Sequence, residues 1–288
     1  MLIHRLRAVR CALVLAPLIA VLVFAPGVLA RFKNAGAGGC GNFDTVIASA
    51  QAGDVLAPMR GGVNTNGATI SETLVMQGGW IPNTGDCGDA GTNTFDNTAA
   101  MLAAGFTFDA AQPSELFGDF VVPTLQLDLK GKTDLFQNLA INGQSIDGNG
   151  SAIGGVLSNG TRVRMEHMQF DQNQANGNHT GGAIYLELRG GSHLTIADSQ
   201  FSNNTAASGG ALEIHLYDNS TLVIEGNTFS NNQANSGNGG ALRVVVESGT
   251  VTIRNNVFSS NQAQNGNGGA IALERSVGAS GRAVAELT

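Results

Sequence analysis

Apolar residues in the second half of this chain fall at alternate positions in short bursts. Ile184, Leu186 and Leu188 are separated by Tyr185 and Glu187. Leu212, Ile214 and Leu216 are separated by Glu213 and His215, and Leu242, Val244 and Val246 by Arg243 and Val245. Ile271 and Leu273 open a fourth set. A period of two marks a strand with one face buried and one face outward. Turn residues close these strands, as in Arg189-Gly-Gly-Ser192 and Tyr217-Asp-Asn-Ser220. Shorter apolar pairs follow at Leu194/Ile196, Leu222/Ile224 and Val251/Ile253, with Val163/Met165 as the first of the series. Each ends five residues ahead of a phenylalanine.

The bursts belong to a repeat. Gly181-Gly182-Ala183 recurs at Gly209-Gly210-Ala211, Gly239-Gly240-Ala241 and Gly268-Gly269-Ala270, at spacings of 28, 30 and 29. A second motif keeps step: Phe170 with Asn173, Phe201 with Asn204, Phe229 with Asn232, and Phe258 with Asn261. A weaker first unit reads with Ile141 and Ile146 at the same offset, Asn149 three later, and Gly154-Gly155-Val156 at the glycine motif. This gives five units of three short strands each. One such unit cannot bury its apolar face alone, whereas units stacked in register can. The pattern predicts a parallel β-solenoid with one coil per ~4.8 Å. The asparagines then stack as a ladder at one turn. Gly182, Gly210, Gly240 and Gly269 sit where the coil bends.

Gly-Gly-Ala-Ile/Leu together with Phe-x-x-Asn resembles the repeat of chlamydial polymorphic outer membrane proteins. It is also similar to the wider group of secreted bacterial right-handed parallel β-helix proteins. The resemblance covers about residues 139–275. It implies an all-β fold, a right-handed parallel β-helix with an amino-terminal cap. Residues 31–138 would form that cap and irregular early coils. Cys40-Gly-Asn-Phe43 leads into a capping helix over Asp44–Ala50 with Asp44 as N-cap. Ala52-Gly-Asp54 and Leu74–Trp80 fit the same opening pattern, and residues 88–124 fit it least. Residues 276–288 read as a tail without a further apolar coil, natural or truncated. Autotransporting members of the group carry an outer-membrane barrel. No alternating strands of that kind follow here, so self-export does not carry over with the resemblance.

The first thirty residues differ from the rest. His4, Arg5, Arg7 and Arg10 precede an apolar run, Cys11–Phe24, and Val28-Leu29-Ala30 supplies small residues. This is a signal-peptide pattern over residues 1–30. The apolar run is shorter than the ~20 residues of a membrane span, and no second one follows. The chain is therefore expected to be secreted or held at the cell surface or outer membrane, without a transmembrane span after cleavage. Loss of the leader takes the net charge from −7 to −10, because three arginines and no carboxylates go with it. That balance excludes nucleic acid as a partner, since phosphate binding needs a basic face. Cys40 and Cys87 are the two remaining thiols of an oxidising compartment. A Cys40–Cys87 disulfide is the plain reading, worth roughly 3–4 kcal/mol; two free thiols are the alternative.

Aligning the coils on Gly-Gly-Ala yields the outward columns. One reads Tyr185, Glu213, Arg243, Ala272; the next reads Glu187, His215, Val245, Glu274. Glu213 with Arg243, and Glu187 with His215, are the constellations catalysis would have to use. Both read better as solvated surface pairs, the first worth up to ~1 kcal/mol. A glycosidase needs two carboxylates at a set separation, and no column supplies stacked aspartates. No metal site or cofactor is expected, because Asn238-Gly-Gly and Asn267-Gly-Gly lack the aspartate of a calcium repeat. The polar loops ahead of each Gly-Gly-Ala are either solvated turns or a surface suited to a glycan or a host or cell-surface protein. The sequence thus favours an adhesin-like binding scaffold without catalysis. The alternative is a polysaccharide lyase or glycoside hydrolase built on the same coils.

Overall fold

The computed structural model describes residues 32–35, 43–48, 50–58, 63–65, 67–78, 80–81, 94–95, 107–108, 111–118, 120–276, 278–279 and 281–288. The expected signal peptide and the Cys40–Cys87 pairing lie outside these residues. What they form is a parallel β-solenoid. Six successive coils begin at Leu125, Ile153, Ile184, Leu212, Leu242 and Ile271, each strand paired in parallel with its equivalent one coil away.

The coil that opens at Ile184 shows the plan. Ile184–Leu188 lies in sheet I, His193–Ala197 in sheet II and Gln200–Ser202 in sheet III. A two-residue strand, Thr205–Ala206, adds a fourth ladder before the glycine corner. The expected three strands per unit are therefore four. The corners after sheets II and III each carry one residue in the left-handed region, with φ near +55°. Gln172, Asn203, Asn231 and Ser260 follow sheet III, and His167, Asp198 and Asn255 follow sheet II, with Gly226 at the equivalent place. Asn and Gly tolerate this region best, which is why their surplus recurs with the repeat.

Inward side chains form columns along the axis. Leu186, Ile214 and Val244 are fully buried, as are Leu194 and Leu222 with Val251. Phe170, Phe201, Phe229 and Phe258 stack with ring centroids 4.8–4.9 Å apart and planes within 12°. Removing one buried ring would cost roughly 3–5 kcal/mol.

At the amino-terminal end the helix runs Phe43–Ala48, and Val46 and Ile47 join the core. Asp44 sits in its first turn and not at the N-cap position. The helix packs on the strands Ala68–Ile70, Phe32–Ala35 and Asp54–Pro58.

Two expectations are corrected. In the first unit, Ala140 pairs with Gln169 and Ile153 with Ile184. Hence Ile141, not Ile146, lies beside Phe170, and Gly150-Ser151-Ala152, not Gly154-Gly155-Val156, lies beside Gly181-Gly182-Ala183. Gln144 stands where later coils carry asparagine, with its N–H bonded to Asn173 Oδ1 at 3.1 Å. The second correction concerns the tail. Ala283–Leu287 is a strand, paired in parallel with Gly249–Arg254. Ala285 and Leu287 follow the inward columns of Val251 and Ile253 but stay exposed, because no described coil stacks on them.

Candidate functional site

The repeat residues do structural chemistry of a specific kind. Asn204 Oδ1 accepts the N–H of Asn173 at 3.0 Å, Asn232 Oδ1 that of Asn204, and Asn261 Oδ1 that of Asn232. The amides donate in the same direction: Asn204 Nδ2 to Phe170 O, Asn232 Nδ2 to Phe201 O, and Asn261 Nδ2 to Phe229 O. Each asparagine thus satisfies backbone groups of the coil before its own. A second ladder of this type escaped the sequence reading. Asn227 Oδ1 accepts from Ser199 N and Asn256 Oδ1 from Asn227 N, both at 2.9 Å. Its signal was an asparagine two residues before phenylalanine, in Asn227-Thr-Phe229 and Asn256-Val-Phe258.

The glycine pair divides its labour. Gly209 has φ +56°, while a Cβ on Gly210 would lie 2.1 Å from the Gly240 carbonyl oxygen. The first glycine supplies the conformation and the second lets the next coil approach. Gly182 and Gly240 meet the same obstruction, 2.1 and 2.0 Å from the carbonyls of Gly210 and Gly269. Gly269 meets nothing nearer than 3.7 Å.

The outward face of sheet I carries the chemistry. Tyr185, Glu213, Arg243 and Ala272 are in register, as are Glu187, His215, Val245 and Glu274. Their contacts differ from those expected. Glu213 is only 2% exposed, so its pair with Arg243 is no surface pair. Its column lies just past the glycine corner, between Tyr185 on one coil and Arg243 on the next. Glu213 Oε1 receives Arg243 Nη1 at 2.8 Å and lies 2.8 Å from His215 Nε2. Its Oε2 is buried and finds no partner among the described residues. Glu187 does not engage His215, although the two are neighbours in register. It accepts from Arg189 Nη2 at 2.6 Å and from Tyr185 OH at 3.1 Å.

Arg243 is the hub. Its Nη2 and Nε bind the two oxygens of Glu274 at 2.7 and 3.0 Å, and Asn238 Nδ2 adds a third donor at 2.7 Å. Hydrogen bonds from Arg243 hold the Glu274 carboxyl below the usual carboxylate range. Those to Glu274 come first in raising the Arg243 guanidinium, and Glu213 adds to them. Burial, then Glu187, pushes the Tyr185 phenol up, so it stays a hydrogen-bond donor. The rings of Tyr185 and His215 are 5.5 Å apart, those of His215 and Tyr217 6.4 Å, and Arg189 lies 4.3 Å over the Tyr217 ring. Glu187, Glu213, His215 and Arg243 therefore gather in one patch, joined by Arg189, Tyr217 and Glu274. The aligned columns put Glu213 beside Arg243, but they gave no sign of the links to Arg189, Tyr217 and Glu274.

Among the described residues, no group of three His, Cys, Asp or Glu side chains stands close enough to hold a metal ion. No helix among them is long and apolar enough to cross a membrane. A family model described as a right handed beta helix region matches residues 127–280, just over half of the chain. No curated protein matches the chain, and no solved structure does.

Proposed function

Since the chain belongs to the right-handed β-helix family, we propose that it is a secreted or cell-surface scaffold that binds a glycan or protein without catalysis. The observation that carries this reading is the state of the carboxylates on sheet I. Glu187, Glu213 and Glu274 are each held by an arginine at 2.6–2.8 Å. Guanidinium pairing fixes a carboxylate in direction, and at Glu274 it holds the carboxyl below the usual carboxylate range. A general acid needs the opposite, a carboxyl whose pKa is lifted toward neutrality. The likeness of the Gly-Gly-Ala and Phe-x-x-Asn repeat to chlamydial surface proteins supports adhesion as the setting.

The rival reading, a polysaccharide lyase or hydrolase, is favoured by one contact, the 2.8 Å approach of His215 to Glu213. That geometry would orient an imidazole for proton transfer. Incubation of the full chain with acidic and neutral polysaccharides separates the two. Binding to glycans or cell surfaces without release of unsaturated or reducing ends is the expected result. Measurable release of either would establish the enzyme.

A further inference from the structure

Asparagine is a thermolabile residue, most of all before glycine. The glycine nitrogen can then attack the side-chain amide carbon with no Cβ in the way. Hydrogen bonds to that nitrogen or to the side chain must break first, so they slow the reaction. The coils hold their Asn-Gly steps unequally in this respect. At Asn142-Gly143, Asn149-Gly150, Asn159-Gly160 and Asn238-Gly239 the glycine N–H donates to the carbonyls of Asp171, Thr180, Gly190 and Asn267, at 2.8–3.1 Å. At Asn176-Gly177 and Asn265-Gly266 the side chain is tethered. Nδ2 donates to Ser145 Oγ at 3.1 Å in the first and to the Asn235 carbonyl at 2.8 Å in the second. Asn267-Gly268 has neither restraint. Among the described residues no acceptor meets the Gly268 N–H and no partner meets the Asn267 side chain, and both residues are exposed.

We propose that Asn267 is a site of spontaneous covalent modification, converting to aspartate and isoaspartate through a succinimide formed with Gly268. The inference is independent of what the scaffold binds. Its strongest support is an internal comparison. Asn238 and Asn267 lie in the same local sequence, Gly-Asn-Gly-Gly-Ala, so local chemistry makes them equal. Coil contacts make them unequal. Asn238 Nδ2 donates to Glu274 Oε1 at 2.7 Å, and its Oδ1 accepts the N–H of Asn267 at 2.7 Å. The bonds of Asn267 to the coil before it use its main chain alone, leaving the reacting nitrogen and side chain unengaged.

The step balances with water as the co-reactant. The Gly268 nitrogen gives its proton to solvent and bonds to Asn267 Cγ. The Cγ–Nδ2 bond breaks, and the amide nitrogen takes up a proton and leaves as ammonia. Water then opens the imide at either carbonyl. Opening at Cγ yields aspartate, and opening at the main-chain carbonyl yields isoaspartate. Isoaspartate routes the main chain through Cβ and Cγ, which adds one carbon to the glycine corner. That corner supplies Gly268 O to Gly240 N, and Ala270 O to the N–H groups of Ala241 and Leu242, at 2.9–3.0 Å. Lengthening it displaces these acceptors and loosens the seat of Ile271–Arg275 on Leu242–Val246.

The test is incubation of the full chain in mildly alkaline buffer, folded and in urea, with fragmentation mass spectrometry assigning each asparagine. In the folded chain Asn267 should convert at least tenfold faster than Asn238, and before any other Asn-Gly step of the described coils. In urea, where stacking is gone, the two should convert at equal rates. Asn267→Gln should abolish the fastest phase of ammonia release while leaving the circular dichroism spectrum unchanged. Equal rates at Asn267 and Asn238 in the folded chain, or earlier conversion elsewhere in the described coils, would overturn the assignment. A tenfold difference that persists in urea would overturn the argument from coil contacts. Amide exchange reads the consequence: it should quicken in Ile271–Arg275 of the isoaspartyl form, and unchanged exchange there would overturn the loosening.

Discussion

At the scale of single residues, buried polar groups decide what each position tolerates. Asn232 is 1% exposed and its side chain serves two backbone groups of the coil before it, the N–H of Asn204 and the carbonyl of Phe201. A replacement that cannot hydrogen-bond would strand both, at about 1–3 kcal/mol for each buried group. Asp134 is the contrasting case. Its Oδ1 accepts the N–H of Leu74 at 2.9 Å, but its Oδ2 is buried without a partner among the described residues. Burial raises its pKa from 3.8 to about 7, with the Leu74 bond and Lys132 pulling the other way and Glu72 adding to the rise. The folded state thus holds this proton more tightly than the unfolded chain. Its contribution to stability is full below pH ~4 and is lost as pH rises toward 7, by roughly 1.4 kcal/mol per unit within that window. Urea unfolding at pH 5.5 and 7.5 should show this as a slope present in the parent and reduced in Asp134→Asn. Equal slopes in the two would show that Asp134 titrates normally.

At the scale of the element, the glycine corner makes a sharper claim. Gly210 and Gly269 occupy equivalent places in the repeat, yet only Gly210 faces a carbonyl across the coil gap. Gly210→Ala should lower the unfolding midpoint by several degrees, or block folding, whereas Gly269→Ala should change it by less than a degree or two. Thermal melts followed by circular dichroism would decide; equal losses would refute the coil-contact account. This difference also shows how far the sequence could be read. Three strands of each repeat unit, their register from Val163 onward and the two motifs were legible, because period-two alternation and a fixed offset are properties of one chain. The first unit was read out of register because Ile141-Asn-Gly-Gln144 lacks both the ring and the asparagine that anchor later units. The fourth strand was missed because two residues, such as Thr205–Ala206, cannot display a period. The site was half legible. The columns of Tyr185, Glu213 and Arg243 followed from alignment, but the burial of Glu213 did not. Outward and exposed are the same thing only where no taller side chains and corners rise on either side.

At the scale of the whole molecule, each coil touches only its neighbours, so stability is distributed as in a one-dimensional stack. Coils covered on both sides should open least often, and the last should open most. Amide exchange should therefore be slowest in Leu186, Ile214 and Val244, which are fully buried, and fastest in Ala283–Leu287, whose inward positions are uncovered. A uniform rate across the coils would instead mean that the stack opens as a single unit. The low charge of the chain, 13% of residues, follows from the same plan: alternate positions are buried, and the corners are built from amides and glycines.

The direction of the asparagine bonds has one more consequence. Every ladder side chain reaches back to the coil before it, from Asn261 to Phe229 and from Asn232 to Phe201. A coil is therefore left with unmet backbone groups until its successor docks, and the successor brings the missing partners with it. The two edges of a coil are therefore chemically unlike: the edge toward the carboxyl end offers backbone groups, and the edge toward the amino end offers amides already shaped to meet them.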